Sequence, residues 1–375
     1  MNSELDEFLK TQIITYMGNK RKLLSIIGDA IDEVKTEINS KTISLCDGFS
    51  GSGIVSRLLK SKADVLYSND IAGYSKTLND CYLANPSAVM KKNIKKYIDT
   101  ANKLADNFES QIENPWISKH WAPQNDRINK SDRAYFTREN ARRIDIIRDY
   151  IETIPKKYKP FVLAPLLVQA SIHNNTNGQF SAYYKDGDIG AYGGKKKIDE
   201  KRITSSIHLP YPIFHENDCK VYTTQLDTNV WTEQMNKNNK CDIVYYDPPY
   251  NKHPYNIYYF MLDIINDWDK SLDIPETNRG QPLNWTVSKY NSRVNAKQAM
   301  ENLIKNTHSN YIILSYNDGG IISIPELDKL LEKNTIKVIK KPIIHKTYNR
   351  LKGISNYKRE NEYKDVKEFL YIIKK

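Results

Sequence analysis

The chain has 375 residues and a formal charge of +11, set by 56 Lys and Arg against 45 Asp and Glu. That length holds two domains or one large core with an insertion, and the positive excess points to a polyanionic partner, nucleic acid first. One of the longest apolar runs, Phe161 to Val168, is short and interrupted by Pro165, and the first ten residues are acidic and polar. No membrane span and no leader are expected, so the chain reads as cytoplasmic.

The four cysteines, Cys46, Cys81, Cys219 and Cys241, stand far apart with no metal-type spacing, and the seven histidines form no metal signature. A reducing compartment with no zinc and no disulfide is expected.

Ile13-Ile14 lead into Tyr16-Met-Gly-Asn-Lys20, and Leu23, Ile27, Ile31, Val34 and Ile38 follow at helical spacing. Gly18 and Lys20 therefore fall at a helix start, where a glycine admits close approach and a cation can hold a ligand carboxylate. A plain loop with a surface lysine is the competing reading.

Thr42 to Cys46 reads as a strand that runs into Asp47-Gly-Phe-Ser-Gly-Ser-Gly53, and Ile54, Val55, Leu58 and Leu59 continue as a helix. This order is the nucleotide-binding unit of doubly wound folds, and Phe49, Ser50, Gly51 and Gly53 form its turn. The dinucleotide fingerprint needs a further glycine where Ser56 stands, which disfavours a pyrophosphate ligand. Val65 to Tyr67 reads as a second strand ending in Asn69-Asp70, 23 residues after Asp47. An acid at that spacing is placed to accept from two ribose hydroxyls.

Asn79 to Asp106 looks helical, and from there to about Arg202 the alternation of strands and helices lapses. Trp116, Trp121, Tyr135, Phe136, Tyr183, Tyr184 and Tyr192 are interleaved with basic residues there. Thr137 can cap a helix carrying Ile144, Ile147 and Ile151 on one face. Arg138, Arg142 and Arg143 of that helix suit either phosphates or a salt-bridged face with Asp145 and Asp149. In His173 to Tyr184 the amides of Asn175, Asn177 and Gln179 can read base edges beside a Gly178 turn. Lys185 to Arg202, with Lys195, Lys196 and Lys197, reads as a mobile basic loop that closes on DNA, or as a disordered insertion.

Asn217-Asp218 sits in a polar turn before a helix-like Val221 to Asn236, and Cys241 to Tyr246 is a buried strand. Asp247-Pro-Pro-Tyr250 lies beyond that strand's carboxyl end, where ligands bind in α/β sheets. Pro249 and Pro248 hold the chain stiff and extended. The Asp247 carboxylate and the Pro248 carbonyl are then two adjacent acceptors, with the Tyr250 ring close by. A flat base carrying an amino group fits them, and two acceptors leave the amine nitrogen nucleophilic.

An aromatic stretch with Tyr255, Tyr258, Tyr259 and Phe260 follows. Arg279 to Arg293 looks irregular, Ala296 to Ile304 helical, Tyr311 to Ser315 a strand, and Leu327 to Leu331 helical. Lys337 to Ile344 and Phe369 to Ile373 read as a strand pair around a basic Tyr348-Asn-Arg350 turn.

Taken together, these residues resemble the Dam-like, alpha-group DNA adenine amino-methyltransferases. Tyr16-Met-Gly-Asn-Lys20 is similar to that family's N-terminal cofactor motif, with Asn19 where glycine is usual. Asp47 to Gly53 resembles its glycine loop, Asp70 its ribose acid, Asp218 an acid near the cofactor adenine, and Asp247-Pro-Pro-Tyr250 its catalytic tetrapeptide. The resemblance implies S-adenosylmethionine as cofactor and a doubly wound, mostly parallel seven-stranded α/β sheet with an inserted, mainly helical target-recognition domain. On that plan residues 1–106 and 207–375 form the catalytic domain and 107–206 the insertion, where Gly178-Gln-Phe180 is similar to a family turn. Also implied are double-stranded DNA as substrate, a monomer of bacterial or phage origin, and a cognate restriction endonuclease acting independently. Cytosine N4, an RNA adenine, or an inactive DNA-binding subunit remain the alternatives, Asp at position 247 leaning to adenine.

Overall fold

The computed structural model describes residues 3–107, 112–238, 241–252, 254–283, 287–344 and 367–375. The expected turn at Tyr348-Asn-Arg350 lies outside them.

In chain order, helices α1 (Ser3–Lys10) and α2 (Leu24–Ile38) precede strand β1 (Ser44–Asp47). Helix α3 (Ile54–Lys60), strand β2 (Val65–Asn69), and helices α4 (Gly73–Tyr82) and α5 (Ala88–Asp106) follow. Next come α6 (Ile117–Trp121), α7 (Arg138–Thr153) and α8 (Lys159–Ile172), a small hairpin of β3 (Lys185–Asp186) and β4 (Ile189–Gly190), and α9 (Glu200–Thr204). The chain then returns through β5 (Lys220–Thr224), α10 (Thr228–Asn238), β6 (Cys241–Tyr246), α11 (Tyr255–Asp267) and α12 (Ala296–Asn306). It closes with β7 (Ser309–Asn317), α13 (Ile324–Asn334), β8 (Lys337–Ile344) and β9 (Lys367–Lys374).

Seven strands form one sheet in the order β5-β2-β1-β6-β7-β9-β8. The first five run parallel, and β9 is antiparallel to both β7 and β8. The strand order reverses at β1, so the carboxyl ends of β1 and β6 open beside each other at the switch point. Leu45, Cys46 and Asp47 pair with Ile243, Val244 and Tyr245, and β6 is almost wholly buried. The doubly wound, mostly parallel seven-stranded sheet expected from the sequence is therefore present.

The span between β2 and β5 packs on the helices of one sheet face. Leu78 and Tyr82 of α4, Ile94 and Ile98 of α5, Trp121, Ile144 and Ile147, the apolar run of α8, and Tyr259 to Ile265 of α11 share one core. Residues 161–168 of α8 are all buried, Pro165 included, as a helix apolar on every side must be. Among the described residues no helix is long and apolar enough to cross a membrane.

Four expectations are corrected here. The single helix read over Asn79 to Asp106 is two, because Pro86 bars the helical region to Asn85 and Ser87 starts a new helix, its hydroxyl accepting from Met90 N. The helix read from Val221 begins only at Thr228; Lys220–Thr224 is a half-exposed edge strand on β2 and so lacks the apolar run that marks buried strands. The loop over Lys185 to Arg202 is held in place rather than loose, with Ala191 N donating to Tyr184 O and Gly193 N to Asn175 Oδ1. Finally, Cys46 and Cys241 are joined as a disulfide between the adjacent strands β1 and β6. Their separation of 195 residues hid that adjacency in the sequence.

Thr137 does cap α7, its hydroxyl accepting from Asn140 N at 3.1 Å. Thr137→Ala should lower unfolding stability by about 1 kcal/mol in urea titration, the usual worth of such a cap. An unchanged midpoint would show that the cap contributes nothing.

Candidate active site

A cavity of about 350 Å³ opens at the carboxyl edge of the parallel strands. Tyr16, Gly18 and Lys20 line it from the segment before α2, Phe49, Ser50 and Gly51 from the turn after β1, Asp70 from the end of β2, and Asp247 and Pro249 from the end of β6. Four segments far apart in sequence thus meet in one space.

The turn after β1 is shaped by its neighbours. Gly48 N donates to Tyr245 O and Ser50 N to Asn69 O, both at 3.0 Å, which ties the turn to β6 on one side and β2 on the other. Gly51 has φ +50°, and a Cβ there would meet the Tyr16 ring at 2.9 Å. Gly53 has φ +76°, and its Cβ would meet Asn79 Oδ1 at 2.7 Å, so both positions require glycine. Phe49 packs edge-on against Tyr246 and Tyr290.

Asp47 is wholly buried and does not line the cavity. Its carboxyl takes the Ser56 hydroxyl at 2.6 Å, and burial pushes it up to about 7. Its place is beneath the turn, as a brace. Gly53 likewise shapes the turn without facing the cavity.

Asp70 accepts from Gly51 N at 2.7 Å through one oxygen and from Ala72 N at 2.9 Å through the other. These bonds, with the Ile71 amide also facing the group, fix the carboxylate plane and leave it acceptor capacity for a ligand. Burial still raises its carboxyl above the usual range. Tyr16 stacks on Tyr255 and Tyr259 and so forms a flat wall.

Lys20 does not stand free for a ligand carboxylate. Its Nζ lies 2.8 Å from Asp247 Oδ2 and 3.1 Å from Glu368 Oε1, and the side chain is only 4% exposed. Two carboxylates already exceed its single charge. Asp247 Oδ1, by contrast, is a buried atom with no hydrogen-bond partner among the described residues. Burial raises the Asp247 carboxyl to about 6 against the opposing pull of Lys20, with the nearby Glu368 charge adding to the rise. Pro248 is buried behind the lining, and the half-buried Tyr250 ring meets Tyr316 edge-on, with Lys20 Nζ 5.8 Å from its centroid.

Asp218 is exposed and precedes β5, at the amino edge of the sheet and away from the cavity. Asp227, just past the carboxyl end of β5, lines the cavity together with Gln225. The misread edge strand explains the miss, since placing β5 correctly puts Asp227, not Asp218, at the ligand edge. Asp263 on α11 also lines the cavity, and burial drives its carboxyl well up. Neither it nor Glu368 carries any motif, though a helical reading of Tyr255 to Asp267 would have faced Asp263 with Tyr259.

Of the residues taken as base or phosphate contacts, Asn175 is fully buried and its amide serves Ala134 O and Ala191 O, so it cannot touch DNA. Arg142 donates to the Ala105 and Asn107 carbonyls at the end of α5, an ordinary way of satisfying a helix C-terminus. Arg138 pairs with Asp126, and Arg143 is buried against Asp106 and Glu139. Asp145 and Asp149 do not pair with Arg142; Asp145 accepts from the backbone of residues 116–118 and Asp149 from Lys270. Gln179 is half-buried with Nε2 3.3 Å from Met17 Sδ. Asn177, Lys195, Lys196 and Lys197 are exposed.

Comparison with known proteins agrees with this geometry. A family model described as D12 class N6 adenine-specific DNA methyltransferase matches residues 16–330. The chain is 27% identical to the Type II methyltransferase M.NlaIII of Neisseria lactamica over 96% of its length and 99% of that protein. It is 25% identical to the Type II methyltransferase M.CviAII of Paramecium bursaria Chlorella virus 1, covering 96% and 98% of the two chains. It is also 27% identical to the Type II methyltransferase M.FokI of Planomicrobium okeanokoites, of which it spans 52%. Matched over more than four-fifths of its length and carrying the glycine turn together with Asp247 and Pro249 of the Asp-Pro-Pro-Tyr tetrapeptide on one cavity, the chain belongs to the D12 class of N6 adenine-specific DNA methyltransferases.

Proposed function

We propose that this enzyme takes its methyl group from S-adenosylmethionine and delivers it to an adenine swung out of double-stranded DNA, with Asp247 and the Pro248 carbonyl holding the amino group. The observation that carries this reading is Asp247 at the cavity wall with its buried Oδ1 lacking a hydrogen-bond partner among the described residues. A buried acceptor without a donor costs about 1–3 kcal/mol, and the adenine amino group is a donor that relieves it. Swinging the base out costs a few kcal/mol, roughly repaid by such contacts and by stacking, for which Tyr250 is the ring at hand.

The cavity fits the proposed donor. Asp70 has acceptor capacity for two ribose hydroxyls, Tyr16 and Phe49 offer aromatic walls, and Gln225 and Asp227 stand where a second ring system would end. S-adenosylmethionine supplies a methyl on a sulfonium, already a good leaving group. The residues of the chain then act by positioning and by electrostatics: two acceptors hold the amine, restore its lone pair, and exclude water from the nitrogen.

Residues 107–206 are proposed as the target-recognition domain, with exposed Asn177, Lys195, Lys196 and Lys197 as its DNA contacts. The relatives are Type II enzymes, which supports a cognate restriction endonuclease acting independently on the same site. A cytoplasmic monomer fits that role.

The direct test is methylation of mixed-sequence duplex DNA from labelled S-adenosylmethionine, followed by nucleoside analysis. N6-methyladenine is expected, and N4-methylcytosine alone would overturn the reading. Asp247→Ala should abolish transfer while cofactor affinity stays within about tenfold, or ~1.4 kcal/mol; wild-type turnover in that variant would sink the mechanism. The carboxylate form of Asp247 is the much stronger acceptor for the amine, so kcat/KM should fall as the pH drops through about 6. A flat profile from pH 8 to about pH 5 would speak against it. DNA affinity should fall with salt at a log–log slope of about −0.9 per phosphate neutralised, and a salt-independent affinity would exclude the basic loop as a contact.

A further inference from the structure

Strand β9 is antiparallel to its neighbour β7, so its amino end meets the same sheet edge as the carboxyl ends of the parallel strands. Glu368 stands at that end, in register with Asn317, and is 8% exposed. An acid buried in an otherwise apolar strand is costly unless it is partnered. Its Oε1 accepts from Ser315 Oγ at 2.9 Å and from Lys20 Nζ at 3.1 Å.

Lys20 has three ammonium hydrogens and three acceptors within reach: Glu368 Oε1, Asp247 Oδ2 at 2.8 Å and Gly18 O at 3.2 Å. Its donors are all committed, and the ammonium is a fixed peg between two acids. That peg engages Oδ2, while Oδ1 is buried without a hydrogen-bond partner among the described residues.

The charges matter as much as the geometry. Lys20 paired with Asp247 alone would give that carboxylate the whole of its charge, and a neutralised carboxylate is a weak acceptor for an amine. With Glu368 the same ammonium is shared between two carboxylates, so less of its charge falls on Asp247 in a poorly screened interior. We infer that Glu368 is a positioning residue for methyl transfer, sharing the Lys20 ammonium so that Asp247 stays a strong acceptor for the substrate amine. This rests on the reading of Asp247 as the amine-holding group.

The groups facing Asp247 are Lys20, Glu368, Asp47, Tyr245, Tyr250 and Tyr255. The three tyrosines are pushed up by burial and stay neutral across the working range, which leaves Glu368 as the acid that shares Lys20 with Asp247.

Glu368→Gln keeps the shape and the Ser315 contact while removing the charge. In the full chain it should lower the single-turnover methylation rate at neutral pH by about tenfold and move the acid midpoint of the rate profile down by about half a pH unit or more. The affinity for S-adenosylmethionine, read by calorimetry, should stay within about threefold. Glu368→Asp, which keeps the charge, should return the midpoint toward the wild-type value. The midpoint comes from the shape of the profile and does not depend on the fraction of active protein, so partial misfolding cannot imitate it. A slower Glu368→Gln enzyme with an unmoved midpoint, or a Glu368→Asp variant that titrates like Gln, would reduce Glu368 to structural support and overturn the inference. Asp247→Asn, measured alongside, separates the two ideas: full activity there defeats the reading of Asp247 itself, whereas an inactive Asp247→Asn with an unmoved Glu368→Gln midpoint defeats only the role of Glu368.

Discussion

The parallel pairing of β1 with β6 is the constraint on which the rest depends. It sets Asp47 opposite Tyr245 and so puts the glycine turn and the Asp-Pro-Pro-Tyr tetrapeptide side by side, although their strands are separated by most of the chain. The pairing is held from within by buried side chains on both strands and by Gly48 N donating to Tyr245 O. Each buried Val, Leu or Ile there contributes about 1.5–3 kcal/mol, so the register is strongly specified. A one-residue slip would carry the slipped strand's side chains, Leu45 on one or Ile243 on the other, from the core on one sheet face to the differently shaped core on the opposite face, and would offset the two turns.

Desolvation then does the chemical work. Asp47, Asp70, Asp247 and Asp263 are all raised by burial, yet each meets a different set of partners. Asp47 takes a hydroxyl and braces the turn; Asp70 takes two backbone amides and keeps spare acceptor capacity; Asp247 takes one lysine contact and keeps a bare oxygen. The same residue type, buried near the same sheet edge, thus keeps a different acceptor capacity according to which donors reach it.

The long excursion between β2 and β5 follows the same economy of contacts. Its polar side chains are largely committed to the backbone: Asp145 to the start of α6, Arg142 to the end of α5, Asn175 to Ala134 on one segment and to Ala191 and Gly193 on another. Such residues look like nucleic-acid ligands in a sequence because amides and guanidinium groups satisfy protein carbonyls as readily as bases and phosphates. Of the residues expected to contact DNA, those that stay exposed are Arg138, in a surface pair with Asp126, Asn177 and the lysines of 195–197, a smaller set than composition suggested.

The sequence by itself determined the buried elements and the turns between them. The strand at Cys241 to Tyr246, the glycine turn after β1, the stop at Asp247-Pro-Pro and the capped helix from Arg138 were all legible, because apolar runs, glycine spacing, proline and a threonine cap act over a few residues. Only the tertiary structure decided which distant groups share one space. It turned Lys20 from a candidate ligand clamp into the partner of Asp247 and Glu368, moved the acid of the third parallel strand from Asp218 to Asp227, and joined Cys46 to Cys241. Charge pairing, strand adjacency and burial depend on distances between segments hundreds of residues apart, and no local pattern encodes them. An edge strand such as Lys220–Thr224, half-exposed and held by a single neighbour, leaves no apolar signature either, and its position had to come from the β2 ladder itself.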